Sequence, residues 1–354
     1  MLKMWYVLLF LPGVYAFDFA GAGCTGTAPA WNCVQGDFSG ATLSGAILAH
    51  ADLSGADLSG AKLTFVVLAQ ANLSHANLKD AVLSTVDLQH TDLLNADLTG
   101  ADLSGTNFVG AKLMGAVGVR VTTTLQDHGP VNFEKADLTG ADFSHANLVD
   151  PRFFNATLTD ATLTGATLTG AELQYATLTG ADLSGATLTG VKGLSLAACP
   201  PDFSDAYGNT WKCINNYLVG PGAILTGAYL RDAQLEDMNL SGADLSGADL
   251  SFADLSGADL SGARLKDAVL KDVDLTHTNL KDADFTSASL DGAQFSYANL
   301  AGARFFGVTG GYLNAHLADA NVGLCPYGEL YDSNGDCRVD KEALLKVYRE
   351  SECL

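Results

Sequence analysis

The sequence predicts an all-β fold, a quadrilateral β-helix in which the chain winds four-sided around one apolar axis. Three observations predict it. A Leu or Phe recurs at every fifth position through most of residues 36–322. A small apolar residue, usually Ala, stands two positions before it, and Gly or a polar residue stands two after. The positions between are Asp, Asn, Ser and Thr, as in "ADLSGADLSFADLSGADLSGARL" from Ala243 to Leu265.

The period excludes both regular elements. Five residues of an α-helix turn about 500°, about 140° beyond a full turn, so a Leu at that spacing wanders around the cylinder. In a straight strand an odd period sends successive Leu to opposite faces. The chain must therefore bend once per repeat. Ala and Leu, two apart, share the inner side of a short extended segment, and Gly supplies the positive φ of the corner. Four repeats of five close a level of 20 residues, and levels stack at ~4.8 Å. Roughly 45 repeats give about 11 levels and a length of ~54 Å at that spacing.

Taken in order along the chain, residues 1–16 read as a signal peptide. Lys3 precedes the apolar run 4–11, Pro12 and Gly13 break it, and Val14 and Ala16 offer small residues for cleavage. The run is too short for a membrane anchor, which needs about 20 apolar residues. Residues 17–35 are expected to form an N-terminal disulfide cap and residues 36–115 the first β-helix block. Residues 116–130 are a side loop or a degenerate stretch of coil, the loop being favoured on the turn chemistry of Asp127, His128, Gly129 and Pro130. A second block follows at 131–190, a disulfide-loop insertion at 191–222 and a third block at 223–322. Trp-x-Cys occurs at both Trp31 and Trp211, with each Cys five residues before an apolar centre, which suggests one starter module with a Trp plug used twice. Residues 323–354 are expected to hold a disulfide loop and a capping helix with Asp340 as its N-cap. Such a helix covers the open end of a coil, or pairs with a second copy in a homodimer.

The seven Cys lie outside the regular repeat. Cys24 with Cys33, Cys199 with Cys213 and Cys325 with Cys337 are neighbouring pairs suited to local disulfides in an oxidising compartment. Cys353 is left over.

The repeat matches A-(D/N)-L-x-x and resembles the pentapeptide-repeat family over about two thirds of the chain. The resemblance implies a right-handed quadrilateral β-helix. The segment "YLVGPGAILTGAYL" also resembles connectors of exported bacterial members. Some cytoplasmic members are DNA mimics that bind DNA gyrase, so the resemblance, with a formal net charge of −21, makes an acidic gyrase regulator one alternative function. The placement of charge argues otherwise. Outward positions 20 apart alternate as Asp52, Asn72, Asp92 and as Asp57, Asn77, Asp97, and Asp244 stands over Arg264. Two carboxylates stacked at ~4.8 Å repel by roughly 0.9 kcal/mol even in water, and the interposed residues remove that cost.

A second alternative is a calcium-dependent binding module. Asp332, Asn334, Asp336 and Asp340 match positions of an EF-hand-like loop, but Cys337 replaces its invariant Gly and Ala343 its bidentate Glu. Thr157/Thr159 under Thr177/Thr179, and Thr167/Thr169 under Thr187/Thr189, form arrays too narrow for an ice-binding plane, and Thr is a good strand residue in any case. His50, His75, His90, His145 and His277 occupy corner positions, spaced too widely for a metal. Asn72, Asn155 and Asn239 begin Asn-x-Ser/Thr sequons and are candidate glycan acceptors at outward positions. No nucleophile–base–acid set stands out, and no cofactor is expected. The leading expectation is a non-enzymatic structural or protein-interaction scaffold. It is expected to be exported to the periplasm, the extracellular space or, on the slighter cue of Phe17, a plastid lumen. It would engage a protein partner, and neither nucleic acid nor a membrane.

Overall fold

A computed structural model describes residues 21–27, 30–123, 129–192 and 196–309. The expected signal peptide (1–16), the end of the expected third block (310–322), Cys325, Cys337, Cys353, and the acidic loop and helix expected in 323–354 lie outside the described residues. The chain divides into two compact units, Met1–Thr187 and Leu188–Leu354. Both are β-helical coils, and among the described residues there is no helix.

In the first unit a short hairpin, β1 (Thr25–Thr27) with β2 (Ala30–Asn32), leads directly into the coil. The register is the expected one: Asp52 bridges Asn72, Asn72 bridges Asp92, and Asp57, Asn77 and Asp97 follow suit, all parallel. The coil begins earlier than the sequence suggests, since Asn32 already bridges Asp52. Cys33 is fully buried in a central position, disulfide-bonded to Cys24, where later levels place Leu.

Each repeat spends its backbone donors in one way. In the repeat around Leu53, the Leu53 N–H donates to the Asn72 carbonyl at 2.7 Å and the Gly55 N–H to the Ser74 carbonyl at 2.8 Å, both one level on. Asn72 donates back to Ala51 at 2.9 Å, and Ala56 closes the corner onto Leu53 at 3.0 Å. The corner residue is left-handed throughout, which Gly accepts freely. Non-Gly residues take it too, including His50 (φ 60°) and Asp80 (φ 55°). In each unit the inward Leu, Phe and Ala form a buried axis. Where Thr replaces Ala, at Thr91, Thr106 and Thr278, its buried hydroxyl donates to the Leu carbonyl 23 residues earlier, at 2.7–3.0 Å.

The loop favoured for 116–130 is narrower than expected. Val117 and Thr122 bridge Asp97 and Asp102, so residues 116–123 remain in the coil. Spacing then lengthens to 25 residues, with Asn107 bridging Asn132 and Val117 bridging Asp142. Chemistry inside the coil accommodates this level. Gly118 takes a central position, and a Cβ there would meet the Phe143 ring of the next level at about 2.5 Å. Phe143 thus fills the space that Leu would have occupied. Phe108, Phe133 and Phe153 stack beside it at centroid distances of 4.9 and 5.1 Å.

In the second unit the insertion is a three-stranded antiparallel sheet of β3 (Phe203–Ser204), β4 (Thr210–Ile214) and β5 (Tyr217–Val219), with Cys199 bonded to Cys213. It occupies less of 191–222 than expected, because the Ile224 N–H already pairs with the Val191 carbonyl. The side chain of Asn215, in the turn between β4 and β5, donates to the carbonyls of Tyr229 and Arg231 at 3.1 and 3.4 Å. One amide therefore satisfies two acceptors on the coil's edge. Trp211 is buried and packs where Gly220 leaves a central position empty. The two Trp-x-Cys modules differ here: Trp31 is only partly buried, so the plug is used once.

Candidate functional site

Four of the five N–H groups of a repeat are spent on backbone. The fifth, on the residue after Leu, points outward, and the Asp or Asn two residues earlier accepts it. Ser54, Ser59, Ser256 and Ser261 donate to Asp52, Asp57, Asp254 and Asp259 at 2.9–3.1 Å, and Ser74 donates to Asn72 at 3.0 Å. The outward acid is thus an Asx-turn cap, a role missed when the columns are read only for charge. The expected alternation along the column is present as well. Asn72 Nδ2 donates to Asp52 at 3.2 Å, Asn77 Nδ2 to Asp57 at 3.1 Å, and Arg264 lies 3.7 Å from Asp244.

These contacts hold several carboxyls below the usual carboxylate range. Burial opposes ionisation of Asp97, Asp249 and Asp284. The hydroxyl and backbone N–H two residues on outweigh it, aided by nearby cations such as Lys79 at Asp97. Asp205 is alike: burial opposes the charge, and Trp211 Nε1, Asn209 and the Tyr207 N–H override it. Asp205 adjoins a cavity of about 220 Å³ under the insertion, beside Tyr207, Trp211 and Pro221. Its oxygens accept from Trp211 at 3.0 Å and from Asn209 and Tyr207 at 2.9 Å, which makes it a structural anchor of the insertion.

Of the other predicted positions, Cys24 pairs with Cys33 and Cys199 with Cys213. The calcium candidates Asp332, Asn334, Asp336 and Asp340 and the pair Cys325 and Cys337 lie outside the described residues. Among the described residues no three His, Cys, Asp or Glu are grouped to hold a metal, and no helix is long and apolar enough to cross a membrane. The five His sit at left-handed corners as expected. Asn72 and Asn239 occupy the outward cap position, while Asn155 occupies a corner at φ 56°.

Several outward positions depart from the polar pattern, and in the second unit some of them are grouped. In the second unit Tyr229, Asp249 and Val269 form one outward column, with Tyr229 71% and Val269 39% exposed. Phe252 stands at the adjoining corner, 39% exposed, at φ 61°. The Arg231 guanidinium lies 4.5 Å and the Lys271 ammonium 5.8 Å from the Phe252 ring centre, within cation–π range. Ser251, on the level between these cations, is buried. A left-handed backbone costs a residue with a Cβ about 1–2 kcal/mol, so a partly exposed Phe there is expensive for stability alone. Apolar side chains grouped on a polar surface are the usual mark of an interaction site.

The family model described as pentapeptide repeats matches in 8 copies, over residues 37–74, 61–93, 81–117, 131–150, 152–190, 223–262 and 268–307. Among solved structures, the chain is similar to HetL, a pentapeptide repeat protein involved in heterocyst differentiation regulation from the cyanobacterium Nostoc sp. The two are 25% identical over 83% of this chain and 92% of that one, with a TM-score of 0.26. QnrB1, a plasmid-mediated fluoroquinolone resistance protein, is 21% identical over 65% and 86%, with a TM-score of 0.22. A pentapeptide repeat protein from the Arabidopsis thaliana thylakoid lumen is 28% identical over 38% and 69%, with a TM-score of 0.14. Comparison with curated proteins gives no match.

Proposed function

The chain belongs to the pentapeptide-repeat family, and from that premise we propose that it is a non-enzymatic, exported scaffold that binds a protein partner through the second unit. The observation that carries this reading is the surface of Tyr229, Phe252 and Val269, with Arg231 and Lys271 against the Phe252 ring. Export is supported by the signal-like residues 1–16 and by disulfides in both units. Duplex mimicry is disfavoured, because carboxylate after carboxylate is engaged in capping the coil and many alternate with amides or cations. The fold thus gives many of the acidic side chains a structural use, as acceptors for the turn.

The test is affinity capture from the compartment in which the processed chain accumulates, comparing wild type with Tyr229→Ser/Phe252→Gly/Val269→Thr. Phe252→Gly relieves a strained corner, so loss of folding is not expected to confound the result. A protein retained by wild type and lost from the variant is the expected outcome. Identical captured sets would remove this surface from the proposal.

A further inference from the structure

The three sequons are alike in sequence and differ sharply in the fold. Asn72 uses both ends of its amide: Oδ1 accepts from the Ser74 N–H at 3.0 Å and Nδ2 donates to Asp52 at 3.2 Å. Asn239 does the same, accepting from the Ser241 N–H at 3.0 Å and donating to Asn209 at 2.7 Å. A sugar on Nδ2 would crowd the group that Nδ2 now meets, the Asp52 carboxylate of the neighbouring level or the Asn209 side chain of the insertion, so modification there would oppose completion of the fold. Asn155 is different. It is exposed at a corner, its backbone N–H donates to the Gln174 carbonyl at 2.9 Å, and its side-chain amide makes no hydrogen bond among the described residues.

A second feature points to what occupies that corner. Phe154, adjacent in the chain, is 40% exposed, and Tyr175, the corner residue one level on, is 53% exposed. Their rings meet edge to face at 5.4 Å and 88°. Tyr175 also adopts the left-handed conformation, at φ 58°, which is costly for an aromatic residue. A pair of outward aromatic rings beside an unengaged Asn is a platform for the apolar face of a pyranose ring.

We propose that Asn155 carries an N-linked glycan whose first N-acetylhexosamine packs on Phe154 and Tyr175. In the transfer, Asn155 Nδ2 bonds to C1 of an oligosaccharide carried on a lipid diphosphate. The C1–O bond to the diphosphate breaks, the lipid diphosphate leaves with the bonding pair, and Nδ2 loses one proton. Asn155-Ala156-Thr157 supplies the required hydroxyl residue two positions on. The inference rests on the export reading above, and the experiment separates the two.

The full chain is expressed in a eukaryotic secretory host, once with its own residues 1–16 and once with these exchanged for the host's leader. The secreted protein is then treated with peptide-N-glycosidase. A mobility shift abolished by Asn155→Gln and unchanged by Asn72→Gln or Asn239→Gln is expected. A shift that survives Asn155→Gln, or unglycosylated secretion behind the host leader, overturns the proposal. Secretion and the Asn155-dependent shift behind the host leader alone support the site while refuting residues 1–16 as a leader. The platform has its own readout: deglycosylation lowers the unfolding temperature of the wild type but leaves Phe154→Ala/Tyr175→Ala unchanged. Equal decreases in both would remove the packing contact.

Discussion

At the residue scale the outward acid owes its place to geometry before charge. Asp254 accepts the Ser256 N–H at 2.9 Å and stacks beside Asp274 in the same column. Asn retains an acceptor for the turn and removes a like charge, whereas Ala removes the charge and loses the acceptor. Asp254→Asn should therefore be at least as stable as wild type, and Asp254→Ala less stable by about 1 kcal/mol, the usual net worth of one such hydrogen bond. Denaturant titration of the two variants checks this. The corner column carries a similar rule between levels. A Cβ on Gly100 would run into the Asp80 carboxylate, and Gly180 stands in the same relation to Asp160, whereas Gly60 meets nothing within 4 Å. Asp at one corner is thus compatible with Gly 20 residues later for reasons beyond φ, a correlation visible in the sequence once the level length is known.

At the scale of elements, the lengthened level and the insertion are held by compensations. Gly118 has an ordinary backbone conformation, so only the Phe143 ring forbids a Cβ there. Gly118→Ala should cost about 1–3 kcal/mol through overpacking and Phe143→Leu should leave a void. The double variant should recover part of the loss, giving a coupling of at least about 0.5 kcal/mol in a double-mutant cycle. Additive losses would show that the two sites do not share this space. In the insertion, Asp205→Ala leaves the indole N–H of Trp211 buried without its partner. A loss of about 1–3 kcal/mol is expected, with a matching change in Trp211 fluorescence. Neither compensation was legible in the sequence. Gly118 reads as a break in the pattern, and Trp31 and Trp211 have the same local context, although only Trp211 is fully buried, with Gly220 against its ring.

Across the whole molecule charge governs how stability responds to solution conditions, with 40 acidic against 19 basic residues. Self-repulsion disfavours the compact state, and the screening length falls from about 30 Å at 0.01 M salt to about 8 Å at 0.15 M. The unfolding temperature should therefore rise over that salt range, and a flat response would mean that the alternating columns have already neutralised the repulsion. Acid acts in the opposite sense. Asp97, Asp205, Asp249 and Asp284 titrate below their ordinary value in the folded chain. Their contribution is complete above the unfolded value of about 3.9 and is lost as pH falls through the lower folded values. Thermal scans between pH 6 and pH 3 should show stability declining below about pH 4.

The sequence by itself determined the period, the four faces, the 20-residue register, the inward axis and the corners. A short pattern repeated many times has one closure that buries every Leu and pairs every level, so local rules propagate without further information. Only the tertiary structure decided that Phe143 fills the gap at Gly118, that one Trp of two is buried, and that Asn155 alone of the three sequons is left unengaged. Those outcomes depend on which atoms of neighbouring levels compete for the same few ångströms, and five-residue spacing does not specify that.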